Sequence, residues 1–258
     1  MLDVAAQVWL VARRSIVRTL RQPAMVFPTL VFPLILLAVN ASGLNAATRI
    51  PGFPTDTYLS FGLSVTFMQG ALFASTTAGT ELASDVETGF MSRLSLTPLR
   101  GSALLTGQLA GAVFVALLGT LVYLTIGVVF GVDIKAGVGG VLVLIVLAMV
   151  VASAFGAIGM LLALRTGSAE AVQGLFPLLF VMFFLSSISL PRNLIAQHWF
   201  RTIADWNPVS YMVEGLRSLV ITGWDTTALW KGFLIAGAIL VLAIFASSRA
   251  LRTRMERT

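Results

Sequence analysis

Glu81 to Gly107, ELASDVETGFMSRLSLTPLRGSALLTG, is a charged, turn-rich island between long apolar segments. It carries Asp85, Glu87, Arg93 and Arg100. At about 100° per residue, Val86, Phe90 and Leu94 share one stripe of a helix, whereas Asp85, Gly89, Ser92 and Ser95 fall elsewhere. The pattern predicts a short amphipathic helix. Thr97-Pro98 ends it, because the proline ring removes a donor and pushes the preceding residue out of helical geometry.

Outward from this island the chain is lipid-like. Of 258 residues, 57% are hydrophobic and only 11% charged, and the mean hydropathy is +0.94. Too few polar side chains exist to cover a water-soluble domain of this size. Runs of about 17 to 25 apolar residues, the length a bilayer demands, lie near 25–45, 58–81, 103–131, 138–164, 171–190 and 229–248. The expected architecture is therefore all-α, a polytopic membrane protein with six transmembrane helices in a single domain over 1–258. Pro28, Pro33 and Pro177 fall inside these runs, which is tolerated in lipid when neighbouring groups satisfy the freed carbonyls.

Residues 3–22 precede the first run and are amphipathic. Trp9, Ile16 and Leu20 lie within about 40° of one another and Arg14, Arg18 and Arg21 gather opposite, the pattern of an interfacial helix. Between the fifth and sixth runs stand His198, Trp199, Trp206, Asn207-Pro208, Tyr211, Glu214, Arg217 and Trp224. Asn207 supplies an N-cap acceptor and Pro208 a first helical residue whose missing donor does no harm. Short outer, re-entrant helices at interfacial depth are expected there, with Glu214 and Arg217, three residues apart, able to pair. The net charge of +6 is almost wholly arginine, since Lys135 and Lys231 are the only lysines. These arginines bracket apolar runs rather than covering a soluble face, which argues for membrane orientation and against nucleic-acid binding. The richer share falls on the termini, the 81–107 island and Arg165, so both termini are expected to be cytoplasmic.

Absent chemistry is equally informative. There is no cysteine, and His198 is the only histidine, so neither a thiolate site nor a clustered metal site is expected. Neither lysine has the glycine-rich context, followed by Ser or Thr, of a phosphate-binding loop. The cores of the six runs hold no ionisable residue of the kind that couples carriers to proton or sodium gradients, and no catalytic constellation can be assembled at one depth. The chain is expected to be no enzyme, and energy for any uphill transport must enter from outside the spans. Thr66, Gln69, Thr76 and Thr80 on the second run, with Gln173, Phe176, Phe180, Phe183 and Phe184 on the fifth, would form an uncharged path of hydroxyls, amides and rings suited to a neutral or amphipathic substrate.

In the amphipathic start, the six-run layout, Glu87-Thr88-Gly89 with Leu96-Thr97-Pro98, and Asn207-Pro208 with Tyr211, Glu214 and Arg217, the chain resembles the permease subunits of type-2 ABC exporters. The drug- and antibiotic-resistance branch is the most similar. Here Glu87 is flanked by Val86 and Thr88, whereas the family often places a second charged residue beside the glutamate. The resemblance implies a half-transporter in a bacterial plasma membrane that pairs with a second copy of itself and with two copies of a separate ABC ATPase. ATP and Mg would be held by that partner, with no cofactor in this chain. It further implies that a cytoplasmic coupling helix between the second and third spans contacts the ATPase, with Asp85, Glu87, Gly89, Phe90, Arg93, Pro98 and Arg100 as the contact set. Export of a lipid-linked polysaccharide, or a non-transporting membrane scaffold, are the alternatives.

Overall fold

The structure is a computed structural model that describes residues 3–95 and 101–255. Runs of Leu, Val, Ala and Phe broken by Pro, Gly and Asn give ten α-helices and no strand among these residues. They are α1 (Val4–Leu20), α2 (Pro23–Gly43), α3 (Tyr58–Glu87), α4 (Phe90–Ser95), α5 (Gly101–Val129), α6 (Gly137–Thr166), α7 (Ala169–Phe184), α8 (His198–Trp206), α9 (Pro208–Ile221) and α10 (Thr226–Met255). Short 3₁₀ turns at Asn45–Arg49 and Arg192–Leu194 join some of them.

Four of these helices are long and apolar enough to cross a membrane: α2 over Val26–Gly43, α5, α6, and α10 over Thr226–Arg254. Each of the six apolar runs maps to one helix, but two differ in character from the expectation. At 30 residues, α3 is about 45 Å long and carries Ser, Thr, Gln and finally Glu81 and Asp85, so its composition is mixed. With 16 residues, α7 spans about 24 Å and stops at Phe184, short of the expected 190.

The charged island also folds differently from its helical-wheel reading. Rather than Val86, Phe90 and Leu94 sharing one short helix, α3 runs unbroken through Glu81, Asp85 and Glu87. The break comes at Thr88-Gly89, where Gly89 takes φ +68, a left-handed turn that a side chain would strain. The six-residue α4 starts directly after it. Pro98 and Arg100 lie outside the described residues.

Packing centres on α3, which touches α2, α5, α6, α7 and α9. Its crossing with α6 is backbone-close. A Cβ on Gly159 would meet the Ser75 carbonyl oxygen at 2.0 Å, and one on Gly79 would meet the Gly159 oxygen at 2.8 Å. Small residues at a helix crossing are the usual route to close packing in lipid, where no water-driven force presses helices together. A second such contact seats α1. Gly107 and Gly111, four apart on α5, leave room for Val11, Ser15 and Thr19, and an added Cβ at Gly111 would come within 2.3 Å of the Ser15 Oγ. Consequently α1 buries Gln7, Ala12, Ser15 and Thr19, while Trp9, Leu10 and Leu20 stay more than half exposed.

Proline chemistry is satisfied across helices as well. Pro33 cannot donate to the carbonyl of Thr29 one turn earlier, and α2 nonetheless continues through it. The buried Tyr123 of α5 donates its hydroxyl to that carbonyl at 2.9 Å. At the opposite end of α3, the Asn207 Oδ1 accepts from the Val209 N–H at 2.9 Å, capping α9 with Pro208 at its first position as expected. The same amide donates to the Met182 and Leu185 carbonyls at 2.6 and 3.1 Å, tying α9 to the end of α7.

Candidate coupling site at the α1–α3 clamp

Two pairs of residues, each four apart, meet face to face: Arg14 and Arg18 on α1, Glu81 and Asp85 on α3. Spacing of four sets each pair on one helix face. Asp85 accepts from Arg14 Nη1 and Nη2 at 2.9 and 2.8 Å and from Arg18 Nη1 at 2.8 Å. The fork geometry of a guanidinium suits such a two-bond grip on a carboxylate. Gln108 of α5 adds an amide at 3.4 Å. Glu81 takes hydroxyls from Ser15 at 3.0 Å and Thr19 at 2.7 Å, and Arg18 reaches its backbone oxygen at 3.5 Å. Both carboxylates are 3% exposed. Sequestering them is costly without partners, and α1 supplies those partners. The Asp85 bond, acting against burial, raises the Arg14 pKa above its ordinary value, so this cation stays charged.

The clamp reaches the short helix beyond the break, because the Arg14 guanidinium sits 3.9 Å over the Phe90 ring. Glu87, exposed at the end of α3, accepts from the Ala169 N–H at 2.9 Å and so caps the start of α7, where a carboxylate also favours the helix dipole. Arg93 is exposed and, among the described residues, donates to the Thr88 carbonyl at 3.5 Å. Of the expected contact set, Asp85 and Phe90 are thus joined through Arg14, Glu87 bridges α3 to α7, and Gly89 marks the break.

Sequence reasoning missed Glu81, Ser15, Thr19 and Gln108, and noted Arg14 and Arg18 only as a basic face. The matching four-residue spacings of opposite charge were the signal that could have found the pairing.

The uncharged residues divide. Thr66, Gln69 and Phe183 line one cavity of about 280 Å³ between α2, α3 and α7, together with Asn40, Tyr58 and Phe184. Gln69, among the residues lining this cavity, is 4% exposed. Thr76, Gln173, Phe176 and Phe180 do not line it. Phe176 and Phe180 instead form a stacked pair 5.6 Å apart that continues to Phe73 of α3 at 5.4 Å and to Phe183 at 6.1 Å. Phe73 was not singled out from the sequence. The Thr66 and Thr80 hydroxyls turn back to carbonyls four residues earlier on their own helix.

At the other end of α3, Glu214 and Arg217 do not pair with each other. Glu214 accepts from Arg192 through Nε at 2.6 Å and also through Nη2, and from the Ser187 Oγ at 2.8 Å. Arg217 donates to the Ser187 and Ile188 carbonyls at 3.0 and 3.2 Å and stacks 3.7 Å from the Phe61 ring. Burial pulls its pKa down to about 10, with the Glu214 charge opposing, so it remains a cation at neutral pH. For Arg192 burial also works downward, but hydrogen bonds with Glu214 and Tyr211 override it and leave the pKa raised. Tyr211 donates to the Asp205 carbonyl at 2.7 Å and lies 4.2 Å under Arg192. Helix geometry allows the expected pair, but the 185–192 loop offers each charge a closer partner. Among the described residues no group of acidic, histidine or cysteine side chains could hold a metal.

Fold and site define a multi-pass helical membrane component whose sequence lacks a phosphate-binding loop. The chain belongs to the ABC-2 type transporter family, whose model matches residues 6–221. It is 26% identical over 219 residues, 84% of this chain and 78% of the relative, to the probable doxorubicin resistance ABC transporter permease protein DrrC of Mycobacterium tuberculosis. It is 24% identical over 253 residues, 94% of this chain and 85% of the relative, to the putative transport permease ycf38 of Porphyra purpurea. Membership implies an ABC ATPase as partner.

Proposed function

We propose that this chain is the membrane subunit of an ATP-driven exporter that moves a hydrophobic or amphipathic compound outward. Two copies pair with two copies of an ABC ATPase, which holds ATP and Mg. In this reading α2, α3, α5, α6, α7 and α10 cross the membrane, both termini are cytoplasmic, α1 lies along the cytoplasmic surface, and α8 and α9 dip into the outer leaflet of a bacterial plasma membrane. The observation that carries it is the clamp. Asp85 and Glu81 sit at the end of the central helix, locked to α1, and the break at Gly89 places α4 immediately beyond them. A push on α4 or α1 is thereby delivered to α3, the helix that packs on α2, α5, α6, α7 and α9 and walls the Gln69 cavity.

ATP-driven closure of the ATPase pair would move this assembly as one body and change access to the cavity. A wall of amide, hydroxyl and aromatic groups without fixed charge suits an uncharged or amphipathic substrate. DrrC is named for doxorubicin resistance, which supports the drug-export reading. The test is ATP-dependent uptake of doxorubicin and other amphipathic dyes into inverted vesicles holding the chain with an ABC ATPase. A Glu87→Arg, Phe90→Asp double variant should lose ATPase capture and uptake together. Undiminished capture and uptake in that variant would sink the coupling role.

A further inference from the structure

The ends of α6 and α10 form a cavity of about 700 Å³ lined by Arg165, Arg249 and Arg254 with Thr166, Thr253 and Phe245, and no carboxylate among the described residues lines it. Among the described residues neither Arg165 nor Arg249 forms a salt bridge. Arg254 is oriented by its Nη1, which donates to the Leu164 carbonyl at 2.8 Å. Helix dipoles favour cations in the last turns of α6 and α10, where Arg165 and Arg254 stand. They do not account for Arg249, which lies more than a turn before the end of α10 and is held 4.3 Å over the Phe245 ring.

What adjoins the cavity decides its ligand. Val241, Leu242 and Phe245 are 67%, 67% and 55% exposed. Leu242 and Phe245 stand seven and four residues before Arg249 on the same face of α10, and Val241, four before Phe245, flanks them. An apolar strip therefore runs straight into a pocket of guanidiniums. Arginine matches phosphate oxygens in paired, charge-assisted bonds, and basic pockets between membrane helices suit anionic headgroups. We propose that this cavity binds the phosphate headgroup of an anionic phospholipid, whose acyl chains lie on Val241, Leu242 and Phe245. The inference rests only on the chain being a membrane protein and is independent of what it transports.

The test is native mass spectrometry of the full chain released from nanodiscs of phosphatidylcholine doped with phosphatidylglycerol. The wild type should retain one phosphatidylglycerol per chain. R165Q/R249Q should weaken retention about thirtyfold, the product of two lost arginine contacts at an anionic surface. R13Q/R21Q, which removes the same charge from α1, should leave retention unchanged. Thr253→Trp, which fills the cavity and keeps every arginine, should also release the lipid. Equal losses in the two arginine pairs would mean diffuse attraction and overturn the site, as would full retention in R165Q/R249Q and Thr253→Trp. Displacement of phosphatidylglycerol by excess inorganic phosphate would reassign the cavity to a free anion and overturn the lipid assignment.

Discussion

Arg14 holds Asp85 with two bonds of 2.9 and 2.8 Å between α1 and the end of α3. Seventy-one residues separate them in the chain, so the contact fixes the position of the N-terminal helix on the bundle. Asp85 is shared with Arg18 and Gln108, and it is the point where helices α1, α3 and α5 meet.

Asp85→Asn keeps the shape of the side chain but removes the carboxylate charge that Arg14 and Arg18 share. We expect it to destabilise the folded protein by about 2 kcal/mol, since a cation stripped of its buried partner is costly even when partly wetted. Thermal unfolding in detergent reads this. Glu87→Gln, at an exposed cap, should cost no more than about 1 kcal/mol.

Gly111→Val places branched carbon where the Ser15 Oγ already lies 2.3 Å from an ideal Cβ. Displacement of α1 from α5 is the expected result, visible as faster hydrogen exchange in residues 4–20 with exchange in α6 unchanged. Protection of α1 equal to wild type would show that the glycine pair does not seat it.

Tyr123→Phe removes the hydroxyl that answers the carbonyl freed by Pro33. Hydrogen bonds between membrane helices average about 0.6 kcal/mol and reach about 1.7, and a carbonyl opposite a proline belongs at the upper end. Pro33→Ala in the same background should recover most of the loss, because the helix then satisfies Thr29 itself.

Gln69→Leu removes an amide from the lining of the 280 Å³ cavity, and Phe180→Ala breaks the ring stack that continues from Phe183 of that lining. In transport assays both should alter which compounds are exported, Gln69→Leu favouring the more apolar ones. Unchanged export of every compound would remove the cavity from the substrate path.

Much of the fold is legible in the sequence. Hydropathy located a helix for every apolar run, because a long apolar segment satisfies its own backbone groups most simply as a helix. Asn207-Pro208 marked the start of α9, because both residues act through local backbone chemistry. The 81–107 island misled for a physical reason. Charges at Glu81 and Asp85 look like the end of a helix in isolation, and only Arg14, Arg18, Ser15 and Thr19, brought from far along the chain, let α3 carry them buried. Likewise the partner of Glu214 was not the residue three positions away but Arg192 on a loop, and loop positions are set by tertiary packing rather than periodicity.

Substrate-stimulated ATPase activity of the co-purified permease and ATPase in lipid, compared across Arg14→Asp, Asp85→Arg and the two combined, tests the clamp as the coupling element most directly. Each single reversal sets like charges against each other and should abolish stimulation. The combined swap restores opposite charges between positions 14 and 85, although Arg18 then faces the new arginine, and should recover part of it. Full stimulation in either single variant, or a swap no better than the singles in protein that remains folded, would contradict the account.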